Sequence, residues 1–185
     1  MKKVYIMLTY TGTFIGKIIK LYTREPYSHA SLVLDEDLFE IYSFGRKKYN
    51  NPFIGSFVRE KRDKDTFKYF KNTIYSLYEF NVTDDEYDKI LENLAKFKKN
   101  KDRYSFNIIG LLLVPFKIRY HPENQYYCAQ FIDTLFNESG IKLFEKPSDK
   151  VSIQDLRLCR HFKPLKKGIL RNFKPRNRHQ KLKID

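Results

Sequence analysis

The alternation of apolar and polar residues divides the chain into short segments. "VYIMLT", Val4 to Thr9, is dense in β-formers and predicts a strand. Thr13 to Tyr22 sets Phe14, Ile15, Ile18, Ile19 and Tyr22 at helical spacing, and Pro26 and Tyr27 end that helix. Ser31 to Leu34 and Leu38 to Phe44 predict two strands joined by an Asp35-Glu36-Asp37 turn. From Gly45 to Lys71 the pattern is irregular and charged, which predicts a loop crossing a surface. Thr73 to Val82 returns to a strand pattern.

The clearest helix signal follows. Thr83 is a cap, Asp84, Asp85 and Glu86 fill the first turn, and Lys96, Lys98 and Lys99 fill the last, over an apolar face of Tyr87, Ile90, Leu91, Leu94 and Phe97. "YSFNIIGLLLVPF" predicts a short apolar helix or buried segment stopped by Pro115. A further helix runs from Cys128 to about Asn137, with Gly140 as its C-cap. "KVSIQDLRL" predicts a short strand or turn. No internal repeat is present. These segments predict one α+β domain over residues 1–162, a small antiparallel sheet packed against helices, followed by a basic, poorly ordered tail over 163–185.

Composition sharpens this picture. The 185 residues are 42% apolar and 16% aromatic, which is enough for a sizeable core. The net charge is +14, and from Arg157 onward eleven Lys or Arg face one acid, so a net +10 sits in that segment. Such a tail could contact nucleic acid or an anionic membrane, and a solvated tail is the simpler expectation. Two cysteines make no disulfide framework and point to a reducing compartment. No signal-peptide pattern or membrane-spanning run is read, so a soluble cytoplasmic protein is expected.

Candidate chemistry concentrates in "EPYSHASLVLDEDLFEIYSFG", residues 25–45, and in "QYYCAQFIDTLF", which holds Cys128. A cysteine nucleophile works as the thiolate, and a helix start and a neighbouring imidazole both favour that state. His29 opens a strand, where residues 29, 31 and 33 share one face. If the hairpin turns tightly at Asp35-Glu36, Ser31 pairs with Glu40, and Glu40 can orient the imidazole. A turn shifted by one or two residues offers Ile41 or Tyr42 instead, with Ser43 close by. Taken singly, each residue has a plainer reading: a small buried cysteine, a structural histidine and an exposed glutamate on an edge strand.

"TGTFIGKIIKLYTREPYSHASLVLD" followed by "LFEIYSFG" resembles the circularly permuted papain-like hydrolases of the NlpC superfamily, the YiiX-like group. The matching features are Ser28-His29 opening a strand, Phe39-Glu40-Ile41 on the next, and Tyr126-Tyr127-Cys128 at a late helix start, with Gln130 and Phe131 behind. The order His, acid, Cys is the mark of the permutation. "VSIQDL", residues 151–156, resembles the family's segment after the cysteine helix, with Gln154 where that segment often has proline. The resemblance covers roughly residues 1–160.

It implies a papain-like fold and a cysteine amidase or peptidase: Cys128 attacks a carbonyl, His29 shuttles the proton and Glu40 orients His29. Backbone N–H groups at the helix start would hold the oxyanion. Ser28, Tyr126, Tyr127 and His121 flank the pair and are the expected substrate contacts. A peptide, amide or acyl substrate is implied, with no cofactor and no metal. The same machinery would serve a lipid acyltransferase or thioesterase, and a third possibility is an inactive basic module binding nucleic acid or anionic membrane. His161 and His179 are expected to be solvated, and the scattered histidines and cysteines give no zinc spacing.

Overall fold

The computed structural model describes residues 1–48, 51–116 and 118–176. The elements are β1 (Lys2–Tyr10), α1 (Phe14–Thr23), β2 (His29–Val33), β3 (Ile41–Lys48), β4 (Asn51–Glu60), α2 (Asp65–Tyr69) and β5 (Ile74–Val82). They continue with α3 (Asp84–Lys99), β6 (Ser105–Phe106), α4 (Ile108–Leu113), β7 (Gln125–Tyr126), α5 (Cys128–Glu138), α6 (Ile153–Leu158) and β8 (Lys163–Ile169). Six strands form one antiparallel sheet in the order β4-β3-β2-β1-β5-β8. β6 and β7 form a separate two-residue parallel pair. The class is α+β.

β1 lies between β2 and β5 and is buried on both faces, which is why its sequence is a continuous apolar run and not an alternation. On one face Val4, Ile6, Leu8, Ala30, Leu32, Tyr42 and Phe44 meet the buried residues of α3 and α5. Phe44, Phe57, Phe97 and Phe131 pack with ring centroids 5.1–6.1 Å apart. Each buried ring contributes about 1.5–3 kcal/mol by removing its surface from water. On the other face Tyr5, Met7, Val33, Ile41 and Leu77 meet Phe67 of α2 together with Leu170 and Phe173. α3 starts as expected, with a Thr83–Glu86 capping box.

Four expectations need correction. The stretch from Gly45 to Lys71 is not mainly a surface loop: it contains β4, which pairs with β3 through Phe44↔Phe57 and Ile41↔Glu60. The β2–β3 connection is not a tight turn at Asp35-Glu36. The Asp35 carboxylate accepts the N–H groups of Phe39 and Glu40 at 3.0 and 2.7 Å, and Leu38 takes a left-handed φ of 61°. The segment at 151–158 is not a strand: Ser152 and Asp155 cap α6. In α1, Phe14 is 78% exposed, although Ile19 is buried as expected; the side chains of Ile15, Ile18 and Tyr22 lie outside what the structure describes.

The domain boundary at 162 is also overturned. Lys163–Ile169 is strand β8, hydrogen-bonded to β5. Leu170 and Phe173 are buried in the second core, the Arg176 N–H donates to Asp37 at 2.6 Å, and its guanidinium reaches Glu36. Residues 177–185, with His179, lie outside the described residues. Among the described residues no helix is long and apolar enough to cross a membrane.

Candidate active site

Cys128 begins α5 because the segment before it is pinned. Asn124 adopts a left-handed φ of 58°, β7 pairs with β6, and the Asn107 N–H donates to Tyr126 O at 2.9 Å. Tyr127 is then extended and fully buried, and its hydroxyl donates to Val151 O at 3.0 Å. Cys128 follows at the first helical position, where backbone N–H groups lack helical partners. Its side chain lies close enough to the His29 imidazole to favour the ring's charged form. Both residues line one cleft.

His29 is the first residue of β2, opposite Thr9 of β1. Its Nε2–H donates to Glu60 Oε1 at 2.9 Å. The second Glu60 oxygen, Oε2, accepts from Ser31 Oγ at 2.7 Å. The His29 and Glu60 side chains are 19% and 14% exposed. Burial disfavours the charged imidazole, but the Glu60 carboxylate and the nearby Cys128 outweigh it and raise the His29 pKa to about 10. Burial likewise disfavours the Glu60 carboxylate, and His29 and the Ser31 hydroxyl override it, holding its pKa below the usual value. The cleft therefore holds Cys128, an imidazole biased toward its charged form and a carboxylate.

The carboxylate is not Glu40. Leu32 pairs with Tyr42 and Val33 with Ile41, so Ser31 lies opposite Ser43 and Glu40 falls on the other face from His29. Glu40 pairs instead with Arg59 and with the Tyr42 hydroxyl. Tyr42 is itself in the core. Ser43 is on the His29 face and buried close to it: a Cβ added at Gly45 would lie 3.2 Å from Ser43 Oγ, 3.4 Å from His29 Cε1 and 3.5 Å from Glu60 Oε1. Gly45 thus leaves the room that the imidazole needs.

Of the expected substrate contacts, Ser28 lines the cleft beside His29. Tyr126, Tyr127 and His121 do not. Tyr126 packs against Phe44, Phe97 and Tyr104, and the Tyr127 ring fills the core. His121 Nδ1 accepts from Gln130 Nε2 at 2.8 Å, and the His121 ring stacks edge-on against Tyr126. Gln130 Oε1 in turn accepts the Tyr127 N–H at 3.4 Å. His121 therefore braces the start of α5 and does not serve Cys128. His161 is not part of the site either; it lines a separate surface hollow with Leu158 and Cys159.

The cleft is small, about 70 Å³, and includes Thr11, Thr13, Gly16, Arg46 and Phe106. Space of that size takes a reacting group and not a whole substrate. A second cavity of about 340 Å³ adjoins it, with Ile19 and Leu111 belonging to both. Its other walls include Val114, Pro115, Ala129 and Ile153, with Lys146 and Lys150 at its polar side. Cys159 is buried away from the cleft, and burial raises its thiol pKa. No cluster of three or more His, Cys, Asp or Glu able to hold a metal ion occurs among the described residues. No protein-family model matches the chain, and no curated protein matches its sequence.

Proposed function

We propose that this protein is a cysteine-dependent hydrolase of amide or peptide bonds, with a permuted papain-like fold of the NlpC type. One observation carries the reading: Cys128, His29 and Glu60 line a single cleft, and the His29 ring is bonded to the Glu60 carboxylate. The chain order base, acid, nucleophile agrees with the permuted arrangement, although the acid comes from β4 and not from the strand that follows β2.

In the proposed reaction the Cys128 thiolate attacks the carbonyl carbon. The negative charge on oxygen is stabilised by backbone N–H groups at the start of α5, including that of Cys128. The imidazolium of His29 gives its proton to the leaving nitrogen as the C–N bond breaks, and a thioester to Cys128 remains. Water attacks the thioester, His29 takes the water's proton, and the acid leaves as the Cys128 thiolate re-forms beside the imidazolium. Glu60 keeps Nε2–H directed away from the sulfur and stabilises the charged ring, so Nδ1 is the nitrogen that shuttles.

The test is alkylation by iodoacetamide at pH 6–7, read by peptide mass spectrometry. Cys128 is expected to react about tenfold or more faster than Cys159, and His29→Ala to remove that advantage. Equal rates for the two cysteines in the wild type would overturn the reading.

A second reading has its own observation. The largely apolar cavity next to the cleft, walled by Ile19, Leu111, Val114 and Ile153, suits a long acyl chain. On that reading the same thioester forms from a lipid acyl group. Trapping the covalent intermediate with a labelled acyl thioester and, separately, with a labelled peptide distinguishes the two by the mass added to Cys128.

A further inference from the structure

Arg46 follows Gly45 on β3, and its side chain lines the cleft with Thr11, Thr13 and Cys128. A guanidinium offers five N–H donors in a planar fork. Here one of them, at Nη2, donates to Thr13 Oγ1 at 2.9 Å, and the charge lies 5.9 Å from the centre of the Phe70 ring. Both partners are neutral. Arg59, Arg119, Arg157 and Arg176 each pair with a carboxylate, whereas Arg46 has no ion pair among the described residues. The carboxylate in the same cleft is Glu60, and its two oxygens are taken by His29 and Ser31. Thr13 Oγ1 is also shared, since it accepts the Gly16 N–H that caps α1.

A half-buried cation without a counter-charge has lost hydration with no ionic return. Burial accordingly lowers the Arg46 pKa, with no acid acting to restore it. The wall beyond Arg46 carries an excess of bases: a shallow groove sharing Arg46, Glu60, Thr66 and Phe67 with the cleft continues past Arg59, Lys61 and Lys64, with Asp65 as its one further acid among the described residues. Substrate charge arriving along this wall would meet cations before it met Cys128.

We infer that Arg46 is the substrate-recognition residue of the cleft, binding an anionic group, a carboxylate or a phosphate ester, carried by the acyl compound that Cys128 attacks. The inference rests on the thiol chemistry proposed above and adds the substrate's charge to it. The fork of Arg46 suits two-point binding of either anion. The remainder of the substrate extends toward the shared Ile19–Leu111 wall.

The experiment uses small probes and the intact chain. Cys128 alkylation is measured with iodoacetate, which is anionic, and with iodoacetamide, which is neutral. Arg46→Met is expected to lower the iodoacetate-to-iodoacetamide rate ratio by about fivefold or more, and Arg46→Lys to lower it less. Because both reagents attack the same sulfur, the ratio cancels any change in the intrinsic reactivity of Cys128. In the wild type, N-acetylglycine or inorganic phosphate should protect Cys128 from iodoacetamide, and N-acetylglycinamide should not. Protection by the first anion alone assigns a carboxylate, and by the second alone a phosphate. A ratio unchanged in Arg46→Met overturns the assignment, as does equal protection by N-acetylglycine and its amide, while leaving the Cys128–His29 chemistry standing. Failure of both reagents to label wild-type Cys128 in preference to Cys159 overturns that chemistry and this assignment with it.

Discussion

Two hairpins share strand β3 and use their glutamates in opposite ways. In the β2–β3 hairpin Glu40 sits at the end of the connection, bonded to Arg59 and Tyr42 near the surface. In the β3–β4 hairpin Glu60 closes the strand, opposite Ile41, and turns its carboxylate toward His29 and Ser31. Both are carboxylates on the strands beside the histidine. Register separates them. A shift by an odd number of residues carries every side chain of a strand to its other face, so the acid nearer to His29 in sequence is the wrong one in space.

The largest effect that would break this comparison is on reactivity. Glu60→Gln keeps the shape but removes the charge beside the imidazolium, and should lower Cys128 alkylation or turnover by about 10²–10⁴-fold. Glu40→Gln should change either by less than about twofold, because its partner is a half-exposed arginine in an ion pair worth about 0–1 kcal/mol. Similar losses from the two substitutions, measured under identical conditions, would remove Glu60 from the site.

The next effect is on pH dependence. The folded state raises the His29 pKa from its ordinary 6.5 to about 10 and so holds a proton that the unfolded chain releases. The stability this contributes is complete below pH 6.5 and is lost as the pH climbs toward 10. Thermal melts should therefore show wild-type stability falling across that window. In Glu60→Gln the main cause of the raised pKa is gone, so the fall should be shallower, and the alkaline limit of activity should move to lower pH. Glu40→Gln should retain the wild-type profile, and identical profiles for wild type and Glu60→Gln would contradict this electrostatic account.

The smallest expected effect is steric. Gly45→Ala places a methyl group 3.2 Å from Ser43 Oγ and 3.4 Å from His29 Cε1, a crowding that costs about 1–3 kcal/mol if nothing yields. A few-fold loss of Cys128 reactivity with the melting temperature nearly unchanged would show that the ring moves and the sheet does not.

The same contrast explains what the sequence disclosed. Cys128 and His29 were legible because each stands at the start of an element with a strong local signal: a helix running to Gly140 and an apolar strand. Glu60 was not, because β4 directs polar residues, Ser56 and Glu60, into a buried position, so hydrophobic alternation fails where the chemistry lies. β4 pairs with β3 through Phe44↔Phe57 and Gly45↔Ser56, so only the aromatic pair follows a hydrophobic pattern across the two strands. The Glu40 expectation failed on a loop detail, the Asp35 carboxylate that gathers the N–H groups of Phe39 and Glu40 and lengthens the turn. β8 was illegible for another reason: none of its seven residues is fully buried, so it carries no apolar pattern.

β8 is also where much of the C-terminal charge acquires a meaning. It is the last strand of the sheet, and among the described residues no further strand lies on its outer side. Lys163, Pro164, Lys166, Lys167 and Gly168 make that border a poor template for another chain, since cations repel a copy of themselves and proline withholds an amide. The basic residues thus guard the molecule against growing into stacked sheets, a duty that requires neither nucleic acid nor membrane.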